Sequence, residues 1–146
     1  DPGIEPTIVE MNIATFRKLK GEGWRVVYGD ASQEDVLEKA GVKEATSIIL
    51  TASGSIGSAE SIRQARRINP KIHVVVRADY LGQSESLLKA GADEVFSGEG
   101  EVVLAVTDSI LRKLGATPDQ LEEERERIRK DLFHALESET SRSGNP

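Results

Sequence analysis

Four short runs rich in Val and Ile punctuate the chain: PTIVEMN, RVVYGDAS, TSIILTAS and IHVVVRAD. Each gives way to polar residues and then to a stretch with helical spacing. A shorter run, GADEVF, repeats the pattern. This alternation predicts βαβ units and a parallel sheet buried on both faces. The predicted strands are Thr7–Met11, Arg25–Tyr28, Thr46–Leu50, Ile72–Val76 and Glu94–Phe96.

The intervening helices carry recognisable ends. Asn12 is placed to cap Ile13–Lys20, which Gly21 and Gly23 close. Ser32 is expected to cap Gln33–Lys39, with Asp35 completing a capping-box variant and Gly41 ending the helix. Asn69-Pro70 stops Ser58–Ile68, Gly91 ends Ser84–Ala90, and Gly115 ends Val102–Leu114. Thr117, Pro118 and Gln120 then open a densely charged helix that runs to about Leu136. Its narrow apolar stripe is Leu121, Ile128, Leu132 and Ala135, with Glu123–Arg127 and Glu126–Lys130 as expected ion pairs. That stripe docks either on the body of the domain or on a partner. From Ser138 the sequence reads as a frayed, disordered tail, giving a division into residues 1–116, 117–137 and 138–146.

Ligands of open parallel sheets bind at the carboxyl ends of the strands. Here those ends hold Glu10, Asn12, Gly29, Asp30, Ala31, Thr51, Ser53, Arg77 and Asp79. Glu10 is either an acceptor for two ribose hydroxyls or a carboxylate favoured by a helix start. Asn12 caps a helix, bonds a sugar, or does both. Gly29 permits close approach of backbone to a ligand, and Asp30 alternatively caps the helix that follows. Ser53-Gly54-Ser55-Ile56-Gly57 lacks the Lys and the spacing of a phosphate loop, so it reads as a mobile loop. Arg77 either meets an anionic ligand or pairs with Asp79 or Asp93.

Composition narrows the function classes. With 146 residues, 38% hydrophobic and 30% charged, the chain is one ordinary soluble domain. A net charge of −6 argues against a nucleic-acid-binding surface. The absence of Cys excludes disulfides and thiolate chemistry. His73 and His134 are far apart in sequence and read as structural, so no metal site is expected. No nucleophile elbow, HExxH motif or triad spacing is present, so no catalytic residue is assigned. No apolar stretch approaches the ~20 residues of a membrane span. The opening Asp1-Pro2-Gly3 is read as the start of a fragment or processed chain.

In order and spacing, IVEMN, VVYGDAS, IILTAS, VVVRADY and GADEVF resemble the RCK or KTN domain, also called the Trk-type NAD-binding (TrkA-N) domain, of potassium transport proteins. The resemblance covers about Pro6 to Leu114, and the tail is most similar to versions fused behind Kef-type cation:proton antiporters. It implies a Rossmann-like doubly wound α/β sheet with a C-terminal helical extension. It also implies that the first strand and glycine-rich turn of the family either lie upstream of Asp1, because Glu10 stands where the acidic residue ~20 positions past that motif belongs, or are lost in a natural variant. In the strand order 3-2-1-4-5-6 the absent strand is central. The edges of Thr7–Met11 and Thr46–Leu50 would then either close on each other or accept a strand from a neighbouring chain.

The functional expectations follow from the same resemblance. The domain would sense NAD(H) or an adenosine nucleotide such as AMP or ADP, with Glu10 on the ribose, Asp30 beside the adenine and Thr51 near the sugar-phosphate. A carboxylate at Glu10 disfavours a 2′-phosphate. Affinity would be weakened by the lack of the glycine-rich turn. The domain would regulate a membrane-spanning antiporter or channel portion of the same protein through ligand-dependent rearrangement of a homodimer, on the cytoplasmic side of an inner membrane. Two other readings stand beside it: a fragment of an NAD-dependent oxidoreductase, and a receiver-like signalling domain, which GADEVF also resembles.

Overall fold

The computed structural model describes residues 3–51 and 55–142, with side chains omitted at 55–56 and from 132 onward. Five strands alternate with helices. They are β1 (Ile8–Glu10), α1 (Ile13–Gly21), β2 (Val26–Tyr28), α2 (Glu34–Ala40), β3 (Ser47–Leu50), α3 (Ser55–Ile68), β4 (His73–Ala78), α4 (Ser84–Ala90), β5 (Glu94–Ser97), α5 (Gly98–Lys113) and α6 (Pro118–Arg142). One 3₁₀ turn, Leu81–Gln83, precedes α4.

All strand pairs are parallel, and they form two sheets, β1–β2 and β3–β4–β5. This is the doubly wound order with its central position unfilled among the described residues. No ladder joins β1 to β3, so the two edges have not closed on each other.

The core lies beneath α2, α3 and α4, which pack side by side. Leu50, Val74, Val76 and Ala78 point into it and meet Leu37, Ile62, Ala65 and Leu87. Burying such a side chain contributes about 1.5–3 kcal/mol each. The opposite face of β3 and β4 behaves differently. Ile49 is 68% exposed, and His73 and Arg77 on the alternate positions of β4 are exposed as well. Burial on both faces, expected from the apolar runs, therefore holds on one side only, because no described helix packs over Ile49.

Local hydrogen bonding locks the base of the larger sheet. The Arg66 guanidinium donates to the carbonyls of Gly91 (3.0 Å), Pro70 (3.2 Å) and Ile72 (2.6 Å) and to Asp93 Oδ2 (2.6 Å). Asp93 Oδ2 also accepts Val74 N–H at 2.7 Å. That backbone bond, followed by the Arg66 charge, holds the Asp93 carboxyl below its ordinary range. Asn69 Nδ2 donates to the Val42 and Ala45 carbonyls, tying the end of α3 to the loop before β3.

Several ends differ from expectation. Helix α5 begins at Gly98, four residues early, because Ser97 Oγ accepts Gly100 N–H at 3.0 Å and caps it. Helix α6 opens on the expected Thr117–Gln120 box and continues to Arg142, so the stretch read as a tail from Ser138 is helical that far. Residues 143–146 lie outside the description. Leu121 is buried, and Arg125 pairs with Asp108, fixing α6 to α5. Arg127 pairs with Glu124, three residues away, in place of the expected Glu123.

Candidate functional site

The carboxyl ends of β1 and β2 meet directly. Glu10 is the ladder partner of Tyr28, and Gly29 N–H donates to the Glu10 carbonyl at 3.1 Å. The Glu10 carboxylate turns back and accepts Asn12 N–H at 2.6 Å. Asn12 Oδ1 in turn accepts from Ala14 N (3.0 Å) and Thr15 N (3.1 Å), so the capping reading of Asn12 is what the geometry shows. The pair makes a short polar ridge where the α1 dipole favours negative charge.

Gly29 is set by packing. A Cβ at this position would lie 2.6 Å from Val36 Cγ2 and 3.0 Å from Val36 Cγ1. The start of α2 therefore rests on the bare glycine, bringing Asp30 and Ala31 over the strand end. Ser32 does not cap α2. The N-cap is Gln33, without a side-chain bond. Asp30 Oδ1 accepts Ser32 N–H at 2.8 Å and the Asp30 carbonyl accepts Gln33 N–H at 3.0 Å, so Asp30 folds the turn that precedes the helix.

Thr51 and Arg77 form a second group. Leu50 pairs with Val76, so Thr51, just past the end of β3, and Arg77, still within β4, lie at the same level. Thr51 is exposed. Arg77 lies 3.9 Å from Asp79, and Asp93 is held by Arg66 at the opposite end of the strands. Of the two pairings weighed for Arg77, Asp79 is the observed one. Ser53 lies outside the described residues. The structure thus gathers Glu10, Asn12, Gly29, Asp30 and Ala31 on one sheet and Thr51 and Arg77 on the other.

The sequence pattern missed Tyr28. Parallel partners share a face, so its ring stands beside Glu10, half exposed, with an edge-on contact to Phe16 at 5.4 Å between centroids. The run VVYGD absorbed it into a strand, although an aromatic at the last strand position was the available signal. An open hollow of about 660 Å³ lies elsewhere, at the α5–α6 elbow, lined by Leu111, Leu114, Gln120 and Arg127.

The description "TrkA-N domain" fits residues 2–98, two thirds of the chain. The chain belongs to the TrkA-N domain family. Among solved structures, it is similar to the TrkA-N domain of the inner membrane protein YbaL from Escherichia coli, at 28% identity and a TM-score of 0.68, over 72% of this chain and 78% of that one. The GsuK channel bound to NAD matches at 25% identity and a TM-score of 0.59, over 67% of this chain. This TrkA-N domain spans only 18% of that channel chain. The Kef C-terminal domain of Shewanella denitrificans in its AMP-bound form shares the fold, at 20% identity and a TM-score of 0.61, over 89% and 93% of the two chains. The Rossmann-like architecture is therefore that of the family. Among the described residues no helix is long and apolar enough to cross a membrane, and no group of three or more His, Cys, Asp or Glu is arranged to hold a metal.

Proposed function

We propose that this TrkA-N domain is a nucleotide-sensing regulatory module of a potassium or cation transport protein, most similar in role to the C-terminal domains of Kef-type antiporters. The observation that carries the reading is the junction of Glu10 and Gly29-Asp30 on adjacent strand ends, joined through the Gly29–Glu10 backbone bond. An adenosine group resting there would find the Glu10 carboxylate for its ribose, Asp30 for its exocyclic amine and the Tyr28 ring at its flank. Thr51, Ser53 and Arg77 belong to the sugar-phosphate side. The NAD carried by the GsuK channel and the AMP carried by the Kef domain support NAD(H), AMP or ADP as the ligand class.

Affinity in these 146 residues is weak, because no glycine-rich turn is present in them to cradle a pyrophosphate. The module acts on the cytoplasmic side of an inner membrane, linked to a membrane-spanning portion and working as a homodimer. Ligand controls transport only through differential affinity for two arrangements of the pair. The neighbours' kinship with channels and transporters favours regulation over catalysis.

Isothermal calorimetry with AMP, ADP and NADH tests the reading. Saturable binding is expected, weakened at least about tenfold by Glu10→Gln, since hydrogen bonds to a charged group contribute about 1.5–3 kcal/mol. Absence of binding by any of the three at millimolar concentrations contradicts it.

A further inference from the structure

A small pouch of about 40 Å³ sits where β5 turns into α5. Leu81, Val95 and Leu104 give it apolar walls, and Ser84 and Ser97 stand among them. A water needs roughly 10–15 Å³ of such space, so there is room for a water or two, or for one small ion.

The two serines are what make this space polar. Ser97 is 5% exposed, and its Oγ accepts Gly100 N–H at 3.0 Å, which leaves the hydroxyl hydrogen to give elsewhere. Ser84 is 2% exposed, and its hydroxyl makes no hydrogen bond among the described residues. A buried hydroxyl in that position calls for a water or an ion as its partner.

Charge around the pouch chooses between them. The first turn of α5, a 16-residue helix, borders it at Gly100, and the positive end of a helix dipole favours an anion. Gly98 and Gly100 keep that turn bare of side chains. Arg129 of α6 reaches the same pouch, and it forms no ion pair among the described residues. Two acidic side chains oppose these donors. Glu99 is engaged with Leu81 N–H at 3.0 Å, whereas Glu101 borders the pouch, is exposed and has no cationic partner among the described residues. A cation would need several oxygen ligands. Beyond Glu101 the side chains offer only the serine hydroxyls, one of which already accepts Gly100 N–H.

We infer that this pouch is a site for a small monoanion of the halide class, held by the Ser84 and Ser97 hydroxyls and covered by Arg129. Its occupancy fastens α6 to the β5–α5 junction, adding to the packing of α6 on α4 and the 3₁₀ turn. No residue of the nucleotide rim takes part, so the inference stands apart from that reading.

The test is a ¹⁵N amide titration of the full 146-residue chain, with sodium chloride replacing sodium gluconate at constant ionic strength. Saturable shifts are expected at Ser84 and at Ser97–Glu101, together with a higher melting temperature in chloride. Ser84→Ala and Arg129→Gln should each weaken binding roughly tenfold, the worth of one hydrogen bond to a charged group. Arg129→Gln should also abolish the chloride-dependent rise in melting temperature. Glu101→Gln should tighten binding, a gain that misfolding does not produce. Shifts that grow linearly with salt and scatter over exposed cations mean an adventitious ion only, and overturn the inference. An unchanged spectrum, meaning that water alone fills the pouch, overturns it too, as does indifference of chloride binding to any of the three substitutions.

Discussion

The two sheets of this domain are built from similar sequence yet differ in how they are held. In the β3–β5 sheet, Val74 and Val76 are wholly enclosed beneath Ile62 of α3, and Arg66 and Asp93 bind three elements together at its base. In the β1–β2 sheet no strand residue is fully buried, and α1 buries none either. That smaller sheet joins the rest chiefly through α2, whose Leu37 reaches the main core. The proposed adenosine contacts Glu10 and Asp30 thus stand on the less buried part. Low local stability is what a ligand-ordered element requires.

Core truncation should break this contrast most visibly. Ile62→Ala, in a site with no exposure, is expected to cost about 3 kcal/mol, whereas Val27→Ala in the half-buried β2 should cost about 1 kcal/mol. Urea denaturation of both variants measures the difference, and equal losses would mean that the two sheets are comparably packed.

Arg66→Ala should follow, at about 2 kcal/mol, because it strips partners from the Gly91, Pro70 and Ile72 carbonyls and from Asp93. The same clamp predicts a pH dependence. Asp93 is more acidic in the folded chain than its ordinary value of 3.8, so the unfolded chain binds more protons in acid. The Asp93 contribution is complete above that value and disappears as pH falls through the lower, folded one. Asp93→Asn should flatten this acid limb of a melting-temperature profile. An unchanged limb would remove Asp93 from the account.

On the smaller sheet, Gly29→Ala should cost about 1–2 kcal/mol, since its Cβ runs into a branched Val36 that has little room to turn. The loss should be accompanied by weaker nucleotide binding, because Asp30 is carried on that turn. Asn12→Ala should have the smallest effect, about 1 kcal/mol, through loss of the α1 cap. A far larger penalty would show that the α1 end contributes more to stability than its exposure indicates.

The succession of strands along the chain, the Asn12 and Thr117 caps and the Gly41 and Gly91 stops were legible, because each rests on local chemistry. The open face over Ile49 was not, since a run such as SIIL reads alike whether one face or two are covered. The start of α5 was hidden by Gly98 and Gly100, poor helix formers that Ser97 nevertheless caps. Asp93 was misplaced as a partner for Arg77 because strand register is a tertiary property. Val75 pairs with Glu94, which puts Asp93 at the base of β4 and Arg77 near its top. Of the site, the strand ends identified the positions, while the turn that Asp30 folds emerged from its local hydrogen bonds and the place of the Tyr28 ring beside Glu10 from strand pairing.

The most direct test of the rim as a nucleotide site is a ¹⁵N amide shift map of the chain titrated with AMP. Shifts concentrated at Glu10–Asn12, Tyr28–Ala31, Thr51 and Arg77 are the predicted result. Shifts confined to the α5–α6 elbow, or none up to millimolar AMP, would contradict it.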